Sequence, residues 1–182
     1  MVCIKGYNPR FYSNCKDFMI YNKKLIKKVI GQKINKILWV WDKKSETWYK
    51  DFPVVLELDD GYFSLCADKY SDFSIGWNNI DFNRELSWSG NRDNELEWRE
   101  YKTRNISNIL DKTIDSVEIL NFLPQFISDY RSYDKNEEMI VQKFGFLHGF
   151  GLTIEGQTMV IVNGLDDNNI VFFSGDFPHY YT

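Results

Sequence analysis

At 182 residues the chain is long enough for one sizeable core or two small ones, and its six Trp, eleven Tyr and fourteen Phe point to an aromatic-rich β-sheet interior. Cys3, Cys15 and Cys66 are odd in number and widely spaced, which argues against a disulfide framework. No run approaches the ~20 apolar residues of a membrane span, and the opening residues lack a secretory signal, so the expectation is a soluble cytoplasmic protein with no membrane partner. The net charge of −4 hides a segregation: residues 1–50 hold 12 basic against 3 acidic side chains, and the remainder hold 10 against 23.

In chain order, Asn14 followed by Asp17 reads as a helix N-cap with an acid in the first turn. Phe18, Tyr21, Leu25 and Val29, with Ile26 and Ile30, then sit at helical spacing, Lys23, Lys24, Lys27 and Lys28 fall largely off that stripe, and Gly31 suits the residue beyond the end. This predicts a helix over 15–30. From Lys33 the pattern changes to a strand carrying Ile34, Ile37, Trp39 and Trp41, followed by a polar turn and then Trp48 and Tyr49. Val54, Leu56 and Leu58 alternate up to Asp59, Asp60 and Gly61, a hairpin signal, after which Phe63 and Leu65 return and Phe73, Ile75 and Trp77 form a further strand. Leu86 and Trp88 face Leu96 and Trp98 across Asn91–Asn94, which predicts a second hairpin.

A short helix is expected at 104–111 and a strand at 113–120, followed by a polar segment at about 122–142. Residues 139–147 read as a strand, and Leu152 and Ile154 lead through Glu155–Gln157 into strands at 159–162 and 170–173. These elements repeat the first half. Ile26, Val29, Ile30, Ile34 and Ile37 recur eighty positions on as Ile106, Ile109, Leu110, Ile114 and Val117. Gly61, Leu65, Asp72, Ile75, Trp77, Asp81 and Phe82 recur ninety-five positions on as Gly156, Val160, Asp167, Ile170, Phe172, Asp176 and Phe177. The fold class implied is α+β and β-rich, with internally duplicated helix-plus-antiparallel-meander units about a pseudo-twofold axis. The chain then forms a single compact domain over 1–182, with repeats at about 15–90 and 95–177 and the insert at 122–142 in the second.

Catalytic and metal motifs are weak. His148 and His179 lack a nucleophile at motif spacing, and there is no zinc or calcium pattern. Asp166, Asp167, Asn168 and Asn169 carry cation-ligand chemistry but also the side chains preferred in turns. Gly149 and Gly151 lack the rest of a phosphate loop. No catalytic, cofactor or metal residue is therefore assigned.

The composition is of the kind found among bacterial antitoxin-like immunity proteins, an analogy of type without a specific motif. The first expectation is accordingly a non-catalytic protein-binding module of a bacterial cytosol. Its partner would be basic and would meet the insert through Asp129, Tyr130, Tyr133, Asp134, Glu137 and Glu138. A nucleic-acid-associated regulator using Lys23, Lys24, Lys27 and Lys28, within a basic segment from Lys16 to Lys50 that interleaves with Tyr21, Trp39, Trp41 and Trp48, is the alternative. A hydrolase with a fold-assembled carboxylate pair, drawn from Asp59, Asp60, Asp81 and Asp176, is the third.

Overall fold

The computed structural model of the chain describes residues 2–4, 6–69, 72–88, 95–122, 146–164 and 167–174. It is β-rich with antiparallel sheets and one long helix. In order the elements are β1 (Val2–Ile4), α1 (Cys15–Val29), β2 (Ile34–Asp42), β3 (Thr47–Trp48), β4 (Val54–Leu58), β5 (Gly61–Asp68) and β6 (Asp72–Trp77). There follow β7 (Leu86–Trp88), β8 (Leu96–Glu100), α2 (Arg104–Ser107), β9 (Ile114–Phe122), β10 (Phe146–Ile154), β11 (Gln157–Asn163) and β12 (Asn168–Ser174).

The larger sheet runs β3-β2-β4-β5-β6 with β8 also on β2, and the smaller runs β12-β11-β10-β9. Both are meanders closed by two-residue turns, Asp59–Asp60 between Leu58 and Gly61, and Glu155–Gly156 between Ile154 and Gln157. Gly61 therefore opens a strand whereas Gly156 lies in a turn, so the expected match of these two glycines is off by one residue. The same slip separates Leu65, which joins the main core, from Val160, which joins a small cluster with Leu120 instead. The side-chain period of a strand is two, so one residue of register exchanges the faces.

The sheets meet where the chain leaves each helix. Lys33 and Thr113 form an antiparallel bridge, framed by four backbone bonds: Gly31 N to Ile114 O at 2.9 Å, Asp111 N to Ile34 O at 2.8 Å, Ile34 N to Lys112 O at 3.1 Å and Ile114 N to Gln32 O at 2.9 Å. Gly31 and Asp111 both have positive φ, 88° and 61°. A β-carbon on Gly31 would meet nothing within 4 Å, so its requirement for glycine is purely conformational. Gly31→Ala is expected to cost about 1–2 kcal/mol, the penalty of the left-handed region for an L-residue, read as a lower urea midpoint with unchanged slope.

One hydrophobic cluster fills the space between the sheets and under α1. Phe18 of α1 lies 6.3 Å from Phe73 and 6.2 Å from Phe150, and Phe150 lies 5.5 Å from Phe63, all four fully buried. The other face of the larger sheet is covered by Ile4, Tyr7 and Phe52 against Val40, with Leu86, Leu96 and Trp98 packed around them. Here the expected hairpin between 86–88 and 96–98 does not form. β7 pairs with β1 and β8 pairs with β2, because the alternating pattern marks a strand but not its partner. Of the expected strand at 139–147, residues 139–145 lie outside the described residues and 146–147 open β10, which runs from Phe146 to Ile154; the expected second helix shortens to Arg104–Ser107. Trp77 and its repeat counterpart Phe172 are half-buried at the margin of the core.

Candidate partner-binding surface

The helix α1 begins as its sequence suggests. Asn14 accepts a hydrogen bond from Asp17 N at 2.9 Å, and Lys27 and Lys28 lie in the last turn, where cations complement the helix dipole. Its buried face differs from expectation. Phe18, Asn22, Ile26 and Val29 are buried, while Tyr21 and Ile30 are exposed. Asn22 is tolerated inside because its Nδ2 donates to Phe18 O at 2.9 Å, and Tyr21 instead stacks on Tyr12 at 5.7 Å with the Arg10 guanidinium 4.2 Å from its ring.

The exposed side of this helix concentrates apolar surface. Met19 (45% exposed), Ile20 (58%), Tyr21 (58%) and Ile30 (42%) are the large hydrophobic side chains most open to solvent among the described residues, and all lie on α1 or at its C-cap. Isolated exposed hydrophobics are ordinary, whereas larger contiguous patches are a common feature of contact surfaces. Toward the C-terminal end of the helix Ile20 is followed by lysines, Lys23 three and Lys24 four positions on and Lys27 seven, while Lys16 and Asp17 are its neighbours on the other side. Among the described residues none of Lys23, Lys24 and Lys27 is paired with a carboxylate, and Lys28 places its Nζ 3.9 Å from the ring of Trp77.

Elsewhere several charges are paired in place. Lys36 meets Glu57 at 3.2 Å, Lys43 meets Glu97 at 3.6 Å, Arg84 meets Asp81 at 3.1 Å, Lys102 meets Glu100 at 3.0 Å and Lys112 meets Glu155 at 3.3 Å, and Arg99 also pairs with Glu97. Each such surface pair contributes little to stability. Exposed acids such as Glu46, Asp60 and Glu85 enter no such pair among the described residues, so acidic positions remain elsewhere alongside the positive face on α1.

No family model, curated protein or solved structure matches this chain.

The insert residues Asp129, Tyr130, Tyr133, Asp134, Glu137 and Glu138 lie outside the described residues, as do His179, Asp166 and Asp176. The lysine region and its tryptophans are not brought together. Trp39 is buried with its Nε1 donating to Phe52 O at 3.1 Å, and Trp48 packs 6.1 Å from Trp39, 5.0 Å from Trp41 and 4.8 Å from Tyr101. These rings belong to β2 and β3 and are occupied with one another, while Tyr21 is the aromatic that shares the helix face.

The candidate carboxylates hold backbone. Asp59 accepts from Lys33 N at 3.0 Å, and Asp81 accepts from Asn83 N at 3.0 Å as well as from Arg84. The Asn83 amide, followed by the Arg84 charge, holds the Asp81 carboxyl below its usual value. Burial pushes the Cys66 thiol up to about 12 and the Cys15 thiol to about 11, so neither is a thiolate at neutral pH. No group of three or more His, Cys, Asp and Glu side chains is placed to hold a metal among the described residues. Nor, among them, is any helix long and apolar enough to cross a membrane.

His148 lies within β10, where the ladder to β9 shifts register between Leu147 and Gly149 and makes it the extra residue of a bulge. It is half-buried, and burial lowers its pKa. The unfolded chain therefore takes up the proton more readily, so stability is full above the unfolded value of about 6.5 and falls as pH drops through it toward the folded value. His148→Gln is expected to flatten that part of the profile, read as urea midpoints between about pH 7 and pH 5. Equal slopes in both proteins would contradict this.

Asparagines inside the fold were missed by the sequence pattern. Asn168, read as part of a turn, is fully buried at the start of β12. Its Oδ1 accepts from Ala67 N at 2.8 Å, and its Nδ2 donates to Lys50 O at 2.9 Å and Phe52 O at 3.1 Å. Asn163 Nδ2 donates to Asp72 O at 3.1 Å. Polar residues in adjacent pairs give the same sequence signal whether they face water or stitch two sheets together.

Proposed function

We propose that this chain is a non-catalytic protein-binding module, of the kind represented by antitoxin-like immunity proteins, and that it docks through the exposed face of α1. The observation that carries this reading is that Met19, Ile20 and Tyr21 on α1 and Ile30 at its C-cap are exposed, with Ile20 opposite the residues Phe18, Ile26 and Val29 that lock the helix into the core. A helix held this way presents its side chains with little ordering cost on binding. The test compares the intact chain with a Met19→Ser, Ile20→Ser variant, each immobilised and exposed to an extract of the native host. The proposal expects a protein retained by the first and lost from the second, at equal thermal stability. The same proteins captured by both would contradict it.

The nucleic-acid reading shares the lysines Lys23, Lys24, Lys27 and Lys28, but two observations favour protein. Trp39, Trp41 and Trp48 are engaged with one another, and beside the lysines Met19 and Ile20 offer no ring for bases while Tyr21 is already stacked on Tyr12.

We also infer that the scaffold is a duplicated unit. Lys33 and Thr113 are eighty positions apart, and exchanging each residue of 31–34 with its counterpart in 111–114 turns the four bonds around that bridge into one another. The positive φ of Gly31 and Asp111 obeys the same exchange. So do the register shifts between Ile34 and Lys36 against β4, and between Ile114 and Ser116 against β10. The hairpins align at an offset of ninety-six, which matches Leu65 with Ile161, both buried, and β6 with β12 align at ninety-five. A crystal structure with the matched positions in different element types would contradict the duplication.

A further inference from the structure

We infer that the partner of the α1 face is an acidic protein surface with an apolar recess, the recess receiving Ile20 and the surrounding carboxylates meeting Lys23, Lys24 and Lys27. This rests on the docking reading above and adds the chemistry of what docks. An exposed aliphatic side chain bordered on its C-terminal side by Lys23, Lys24 and Lys27 has the layout of an interface anchor with a charged flank. Burying Ile20 slows dissociation, and the lysines, which no described carboxylate neutralises, accelerate encounter with an anion. The sign is opposite to that of the basic partner expected from the acidic insert.

Three other occupants fit less well. Nucleic acid gains nothing from Met19 or Ile20, and Tyr21 already has Tyr12 stacked on it and Arg10 beside it. A lipid surface draws on the apolar face of an amphipathic helix, and here Phe18, Ile26 and Val29 are committed to the core. A second copy would have to offer its own acids: Asp81, Glu57, Glu97, Glu100 and Glu155 are already paired within the chain, and exposed ones such as Glu46, Asp60 and Glu85 stand on separate loops rather than around one recess.

The test uses the full chain and four labelled probes: a short helical peptide of glutamate and leucine, polyglutamate of the same length, oligothymidylate, and vesicles of phosphatidylcholine with phosphatidylserine. The glutamate–leucine peptide should bind most tightly, and Ile20→Ser should weaken it by roughly tenfold, the loss expected for a buried aliphatic anchor. Polyglutamate should bind more weakly and be indifferent to Ile20→Ser. The Lys23→Glu, Lys24→Glu, Lys27→Glu triple variant, whose sites are exposed, should lose both while melting like the parent. Equal binding of all probes, binding of none, or preference for the oligonucleotide or the vesicle overturns the inference. In the native extract, a partner lost on Ile20→Ser but retained in high salt and by the triple variant would overturn the acidic chemistry while leaving the docking surface standing.

Discussion

Phe150→Ala is expected to lower the unfolding free energy by about 3–5 kcal/mol, the usual range for a fully buried large aromatic. Its ring lies between Phe18 of the helix and Phe63 of the larger sheet while its backbone belongs to the smaller one, so the cavity opens where all three meet. Neighbours drawn from three rigid elements cannot easily collapse into that space, which places the cost toward the upper end. Phe150→Leu retains most of the volume and should cost clearly less. Urea denaturation followed by tryptophan fluorescence reads both, and a loss below about 1 kcal/mol for the alanine variant would show that the sheets do not share this core.

Asn168→Ala is expected to cost about 2–4 kcal/mol, chiefly from stranding a buried polar group. The Asn168 side chain stands beyond the end of β4, where it supplies Ala67 N with its acceptor and ties down the carbonyls of Lys50 and Phe52. Those two carbonyls keep other donors, Asn168 N and Trp39 Nε1, whereas Ala67 N–H would lose the acceptor that Asn168 provides. Asn168→Asp should be worse still, since a carboxylate would face two carbonyl oxygens in a buried site. Equal stability of the asparagine, alanine and aspartate forms would remove Asn168 from this role.

Much of the local structure was legible because the chain punctuates it strongly. Asn14 and Gly31 bracket α1, and Asp59–Asp60 and Glu155–Gly156 make the turns expected of them. Pairing was less legible. Leu86 and Trp88 alternate just as they would in a hairpin with Leu96 and Trp98, and their real neighbours are distant in sequence. The one-residue slip between Gly61 and Gly156 arose because a glycine can open a strand or fill a turn. Of the candidate surface, the lysines were visible in the sequence. Met19 and Ile20 fall off the apolar stripe read from the sequence, and two isolated apolar residues off a stripe carry no signal of their own. Tyr21 and Asn22 exchanged expected roles through contacts that hydropathy does not register: a tyrosine stack outside and a backbone hydrogen bond inside.

The most direct measurement of the proposed role is lysine footprinting of the intact chain with an amine-acylating reagent, in buffer and in an extract of its native host. A docked acidic partner predicts that Lys23, Lys24 and Lys27 become protected together in the extract while Lys69 and Lys102, exposed elsewhere on the surface, are acylated as before. Uniform acylation of all five lysines under both conditions would contradict a partner on the α1 face.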